Sequence, residues 1–226
     1  MDLFNRMART YGAVNLISSF GFSHLWRKAC VDALGVQPGH RCADLMAGMG
    51  ESSVLLAHGP VTGLKIDAID FCPAMTSKGR EIVERLKLSE ISIQTADVLK
   101  LEGAAIYNRV CASFGIKTLN NEGQREFAEV MHRLLKAGGR VALVEIHVPT
   151  SALLRWPFLF YLRHVIPLIG RLLLGDPDCY RSLAIYTEGF AERDRMAEHL
   201  GQQGFAVTLR PLFFGCARLY VAEKGA

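Results

Sequence analysis

Two glycines, three carboxylates and one histidine carry the chemistry legible in this chain. Asp44-Leu45-Met46-Ala47-Gly48-Met49-Gly50-Glu51 ends an apolar run and puts Gly48 and Gly50 where a helix should begin. Glycines there leave backbone without Cβ atoms, so a ligand can lie on bare amides beside a helix N-terminus. Asp70 closes the next apolar run and Asp97 follows the third. A carboxylate at the end of the second strand of a nucleotide fold accepts hydrogen bonds from both ribose hydroxyls, and it repels a 2′-phosphate. Asp97 in turn can hold an adenine amino group. The competing roles are an N-cap for Asp70 and a plain turn residue for Asp97. Asp67 comes too early in its strand and reads as a strand-edge acid. His147, just past Glu145-Ile146, is a candidate general base, since an imidazole pKa of about 6.5 suits proton transfer. Capping the strand end is its equal alternative. Tyr180 is a second catalytic candidate, while Tyr186 and His24 read more readily as packing or surface residues.

Positioning these groups requires strands that end at the acids. Apolar runs at 41–46, 64–69, 91–95, 109–114, 140–146, 205–212 and 217–222 read as seven strands. Amphipathic stretches at 51–58, 73–86, 124–135 and 193–203 read as helices between them. Pro73 opens one helix, and Ala137-Gly138-Gly139 is read as the stop signal of another. The alternation predicts an α/β fold: a doubly wound, Rossmann-like, mostly parallel seven-stranded sheet with helices on both faces. The whole of 1–226 reads as one domain. Residues 1–35 form a helical preface and 150–190 a helical insertion. Both are expected to cover the crevice at the strand ends, where ligands of such sheets bind.

Composition bounds the function classes. With 226 residues, 50% hydrophobic and 21% charged, the chain can bury one sizeable core. A net charge of +4 is spread along the sequence and not massed in a basic block, which gives a nucleic-acid partner no support. The six cysteines include no C-x-x-C pair, so neither a disulfide framework nor a metal site is expected. The first residues lack the apolar core of a signal peptide, and a cytoplasmic location is expected.

The spacing D-x-x-x-G-x-G resembles the first motif of S-adenosylmethionine (SAM)-dependent methyltransferases, whereas dinucleotide enzymes carry G-x-G-x-x-G and Ser53 stands at its third glycine. More of the chain points the same way. It has Phe4, Ala8, Tyr11, Asn15, Ser19-Phe20-Gly21 and Trp26-Arg27, then Gly39 and Asp70-Phe71-Cys72-Pro73-Ala74-Met75. Ala96-Asp97, Phe114-Gly115, Leu134 to Gly139 and Glu145 follow, and near the end come Pro167 to Gly170, Gly175-Asp176, Tyr180-Arg181, Phe190 and Gly204-Phe205. In these residues the chain resembles the ubiquinone/menaquinone biosynthesis C-methyltransferases, a family of class I SAM-dependent methyltransferases. The resemblance implies SAM as cofactor, contacted by Asp44, Ala47, Gly48, Gly50, Asp70, Phe71, Met75, Asp97, Val98 and Phe114. It implies methyl transfer to an apolar small molecule, by C- or O-methylation of a quinone-like or other aromatic or polyketide-like compound.

The chain departs from that family at definite places. Ala47-Gly48-Met49-Gly50 replaces Cys-Gly-Thr-Gly, Gly12 replaces an Asp, Lys117-Thr118 replaces Arg-Asn, and Ser182-Leu183-Ala184-Ile185-Tyr186 replaces Tyr-Leu-x-Glu-Ser. Met46 and Met49 therefore keep alternatives open: S- or N-methyl transfer, or SAM binding without transfer. A NAD-dependent reductase is disfavoured by the glycine spacing. The insertion from Ala152 to Gly175 is very apolar but broken by Arg155, Arg163, Arg171, Pro157 and Pro167. It predicts broken amphipathic helices that wall an apolar pocket or lie on a membrane. A homodimer is also left open.

Overall fold

A computed structural model describes residues 21–168, Arg171 and 178–226, with the side chains of 178–184 left aside. The preface residues 1–20, with Phe4, Ala8, Tyr11, Gly12 and Asn15, lie outside the described residues, as do Gly170 and Gly175-Asp176. Numbered among the described residues, the elements are α1 (Phe22–Ala33), β1 (Arg41–Leu45), α2 (Glu51–Ala57), β2 (Lys65–Asp70), α3 (Pro73–Leu86), β3 (Ile91–Thr95), β4 (Tyr107–Ser113), α4 (Asn121–Leu134), β5 (Leu135–Ile146), α5 (Ala152–Phe160), α6 (Asp178–Arg193), α7 (Met196–Gln202), β6 (Phe205–Leu212) and β7 (Ala217–Lys224).

The seven strands form one sheet in the order β3-β2-β1-β4-β5-β7-β6. β3 to β5 run parallel, and β7 lies antiparallel between β5 and β6. The doubly wound expectation is met, and it places the carboxyl ends of β3, β2, β1 and β4 side by side. The chain order reverses between β1 and β4, which is where a sheet of this type opens a binding crevice.

Two cores lie on the two faces. On one, Leu45, Val110, Val141 and Leu143 of the sheet meet Phe127, Met131 and Leu134 of α4 and Met196 and Leu200 of α7. On the other, Ile66, Ala68, Ala142 and Val144 meet Cys30, Val31 and Leu34 of α1 and Leu56 of α2. Burying each such large side chain is worth about 1.5–3 kcal/mol, so the helices are held by their apolar stripes. Cys30, Cys42, Cys111 and Cys216 are buried free thiols. Burial pushes Cys30 and Cys42 up to about 12, so they pack as small apolar groups.

Several expected boundaries move. α4 begins at Asn121, ahead of the expected Gln124, because the Asn120 side chain accepts from the Gly123 amide at 2.8 Å and caps the first turn. It ends at Leu134 with no glycine stop. Gly138 (φ 67°) and Gly139 lie instead within β5, near the register shift opposite Tyr107 and Arg109. The last helix expected at 193–203 is found as α7, Met196–Gln202, starting later because Arg193 ends α6 and Asp194 and Arg195 intervene. Within the insertion, the described residues include α5 and α6. Pro157 sits inside α5, and a π-turn over Tyr161–Val165 follows. Among the described residues, no helix is long and apolar enough to cross a membrane.

Candidate functional site

The loop after β1 is shaped by backbone that only small residues tolerate well. Gly48 has φ 60° and Gly50 φ 84°, in the left-handed region. A Cβ on Gly48 would come within 3.7 Å of the Glu51 carboxylate, and one on Gly50 within 3.1 Å of Ile93. Met46 also has φ 57°, and its side chain packs onto Gly115, where a Cβ would meet its Sδ at 2.6 Å. Met49 packs with Cys72 and Met75. Both methionines are packing residues, so the altered-chemistry reading built on them loses its footing.

The carboxylates divide into two roles. Asp70 reaches across to the loop: its Oδ2 accepts from the Gly48 amide at 2.8 Å and its Oδ1 from the Cys72 amide at 2.8 Å. Two backbone donors fix the acid at the crevice and leave each oxygen a second acceptor site. Burial raises its pKa, the two amides working against that and Glu51 adding to it. Asp44, only 1% exposed, takes the Ser53 amide (3.0 Å) and hydroxyl (2.8 Å) on one oxygen. It ties α2 to β1 from beneath the loop. Burial lifts it from 3.8 to about 6, with the Ser53 hydrogen bonds and Arg27 opposing and Glu51 reinforcing.

The remaining expected cofactor residues surround these two. Ala47 donates its amide to the Ile69 carbonyl at 3.0 Å and accepts from the Gly50 amide at 2.9 Å. Phe71 is 43% exposed beside Asp70, the most open apolar side chain of the group. Asp97 is exposed and caps a short 3₁₀ turn through the Leu99 amide (3.1 Å), so it serves the turn reading while still facing solvent. Val98 and Met75 are buried, and their side chains hold the loops from inside. Phe114, with φ 64°, is buried under the Arg27 guanidinium, 5.1 Å from its ring centroid. Asp67 belongs elsewhere, paired with Arg41 at 2.8 Å as a strand-edge acid.

Beside the crevice, at the ends of β4 and β5, lies a buried ion pair that the sequence reading did not single out. Lys117 Nζ is 3.0 Å from Glu145 Oε1 and also donates to the Phe114 carbonyl, while the Lys117 amide donates to Glu145 Oε2 at 3.0 Å. In the sequence Lys117 stands out only as a departure from the family's Arg, and Glu145 only among the residues that carry the family resemblance.

His147 lies just beyond, buried under the junction of α6 and α7. Its Nδ1 is 3.0 Å from the Val148 carbonyl, which can only accept, so Nδ1 carries the proton and Nε2 the lone pair. Nε2 is buried with no hydrogen-bond partner, 3.8 Å from Asp194 Oδ2. Asp194 is in turn held by Arg218 (2.7 Å) and Tyr220 (2.5 Å) of β7. Burial first, then the Arg218 charge, lowers the His147 pKa and keeps the ring neutral, with the Val148 carbonyl, Asp194 and Glu145 opposing. No local signal marks Asp194, Arg218 and Tyr220, which β7 brings together. Tyr180 sits in α6, but its side chain lies outside the described residues. Tyr186 and His24 are exposed.

Comparison with known proteins places this geometry. The profile of the ubiE/COQ5 methyltransferase family matches residues 1–224. A demethylmenaquinone methyltransferase of Deinococcus radiodurans is 32% identical over 225 residues, covering 99% of this chain and 91% of that protein. One from Thermotoga maritima is 31% identical over 226 residues, covering 99% and 95%. Among solved structures, a SAM-dependent methyltransferase from Aquifex aeolicus superposes with a TM-score of 0.61 at 16% identity, covering 87% of this chain and 88% of that one. Phosphoethanolamine N-methyltransferase 2 of Haemonchus contortus, in complex with SAM, gives 0.66 at 13%, covering 88% and 52%. The two structures speak to the fold.

Proposed function

Because the chain belongs to the ubiE/COQ5 methyltransferase family, we propose that it methylates a ring carbon of an apolar, quinone-derived hydroquinone, using SAM. That it is a SAM-dependent methyltransferase follows from the family. SAM, when bound, supplies an electrophilic methyl group on a sulfonium. The loop fits it: Gly48 and Gly50 keep the crevice clear of Cβ atoms, and Asp70 stands with acceptor capacity at the end of β2. In our reading Asp70 holds the ribose, Phe71 covers the base, and Asp97 with the Val98 backbone meets its edge.

The remaining task of the chain is alignment, exclusion of water and removal of one proton. Carbon methylation needs the acceptor's hydroxyl to approach a phenolate, which raises the nucleophilicity of the ring. We assign the hydroxyl proton to His147 Nε2, a neutral imidazole lone pair without a partner beneath the insertion. Asp194 stands 3.8 Å away, where its charge favours the imidazolium that forms. Once the methyl has passed from sulfur to carbon, the ring C–H proton leaves as aromaticity returns and the hydroxyl is re-protonated, so one proton is released in all.

The acceptor's apolar character also accounts for the insertion surface. Leu153, Trp156 and Phe160 are exposed at helical spacing on α5, with Arg155 beside them. Such a face suits contact with a lipid surface from which an apolar quinone is taken.

The observation that carries the function is the family match across residues 1–224. The test is mass spectrometry of demethylated naphtho- and benzohydroquinones, simple phenols and thiols incubated with the protein and methyl-labelled SAM. A hydroquinone one methyl heavier, labelled on ring carbon, is expected. Label on a thiol or a phenolic oxygen alone would overturn carbon methylation of a quinol.

A further inference from the structure

Given the apolar acceptor proposed above, on which this inference rests, we infer that a row of aromatic rings from Phe114 at the crevice to Phe214 at the β6–β7 turn binds an apolar chain carried by that acceptor.

The row is continuous. The ring centroids of Phe114 and Trp26 are 6.5 Å apart, and Trp26 stacks on Phe22 at 5.9 Å. Phe22 meets Phe213 at 4.0 Å, and Phe213 meets Phe214 at 5.5 Å. Rings at such distances are in contact. Exposure rises along the row: Phe114 is buried, Trp26 and Phe22 are half-buried, Phe213 is 47% exposed and Phe214 76%. The strip therefore leads from the interior to the surface.

Both ends belong to the reacting side of the sheet. Phe114 follows β4 and shares an apolar cluster with Ala47 of the glycine loop. At the other end β7 runs antiparallel to β5, with Ala217 opposite Ile146, which puts the β6–β7 turn at the carboxyl edge of the parallel strands. The His147 amide donates to the Cys216 carbonyl at 2.9 Å, and a Cβ on Gly215 would lie 3.6 Å from Pro149 Cα. The turn is thus fastened to the base assigned above and to the start of the insertion.

The backbone of the turn sets Phe214 apart. Phe213 has φ 43°, Phe214 φ 55° and Gly215 φ 89°, three successive left-handed residues. Glycine adopts that conformation freely, whereas a Cβ is strained there and a bulky side chain is an outlier. Packing on Phe22 offsets the strain at Phe213. Phe214 gains little in return, because most of its ring faces water. An aromatic residue held open against both its backbone preference and the hydrophobic effect is accounted for by a ligand that covers it. Rings in file offer apolar contact and, apart from the Trp26 N–H, no polar group. That suits a hydrocarbon chain whose aromatic head lies between Phe114 and His147.

The competing role is structural, the turn merely clamping α1 through Phe22. Steady-state methylation of two naphthohydroquinones separates the two, one bearing a geranylgeranyl chain and the other none. Phe214→Gly suits the left-handed backbone, so its thermal midpoint should match or exceed that of wild type. Its KM for the chain-bearing acceptor should rise about tenfold at unchanged kcat, the scale of one lost apolar side-chain contact. The KM for the chainless acceptor should stay within about twofold of wild type, and Phe214→Leu should recover most of the loss. Equal rises for both acceptors, or no rise for either, would overturn the strip's role. Self-association lost in Phe214→Gly without a change in either KM would make the turn a contact between copies, which also overturns it. Wild-type protein that methylates neither hydroquinone would instead overturn the acceptor reading, and the strip's role with it.

Discussion

Replacing Lys117 with Met tests how the crevice is held together. Glu145 is fully buried, and Lys117 Nζ at 3.0 Å is its charge partner. Removing one member of a buried pair leaves an uncompensated charge and costs about 3–5 kcal/mol. Two backbone amides soften the loss here, since Glu145 keeps the Lys117 amide on Oε2 (3.0 Å) and the Ile146 amide on Oε1 (2.9 Å). The lower end, about 3 kcal/mol, is therefore expected. For a chain of this size that lowers the thermal midpoint by roughly 6–12 °C. Urea unfolding followed by circular dichroism measures the loss directly. The double variant Lys117→Met, Glu145→Gln removes both charges and keeps a side-chain oxygen to accept from the backbone amides. It should be more stable than the single variant by about 1 kcal/mol or more, because no uncompensated charge is left buried. A single variant within 1 kcal/mol of wild type, or a double variant as unstable as the single one, would refute the reasoning.

Three further outcomes are expected. Asp70→Ala should weaken SAM by about 2 kcal/mol, the scale of lost hydrogen bonds to a charged group, and unchanged calorimetric affinity would remove Asp70 from the site. His147→Ala should lower turnover while SAM affinity holds, and a wild-type rate would reject the base role. Asp44 sets a pH dependence: burial raises it from 3.8 to about 6, so the folded state binds the extra proton and this group's contribution is fully present below pH 3.8 and is lost as pH rises through 6. Wild-type urea stability should therefore carry a falling component between pH 4 and 6 that Asp44→Asn lacks, and identical slopes for the two proteins would contradict it.

How far the chain could be read in advance depended on whether a signal was local. The strands at β1 to β3, the acids that close them and the Gly48–Gly50 turn are each written within a few consecutive residues, and the sheet order follows from their alternation. Boundaries failed where a side chain decided them: the Asn120 cap started α4 early, and Gly138–Gly139, a plausible helix stop, went into β5 instead. The site's long-range partners were invisible for a different reason. Lys117 with Glu145, Arg27 with Glu51, and Asp194 with Arg218 and Tyr220 are joined only by the folded sheet, and no spacing in sequence announces them.

The departures at the first loop matter less than their position suggests. Relative to its family the loop exchanges Cys and Thr for Ala47 and Met49, yet Met49 turns into the packing with Met75, and its neighbour Met46 packs against Gly115. In the proposed site the crevice offers a cofactor the Gly48 backbone and the Asp70 carboxylate, neither of which the exchange removes. Grip on the cofactor thus depends on strand ends and main chain, which tolerate wide sequence change. The other departures, Lys117-Thr118 and Ser182 to Tyr186, fall in the β4–α4 loop and the insertion, the segments we propose for the acceptor. The same architecture can therefore keep its methyl donor while its acceptor drifts within the apolar aromatic class.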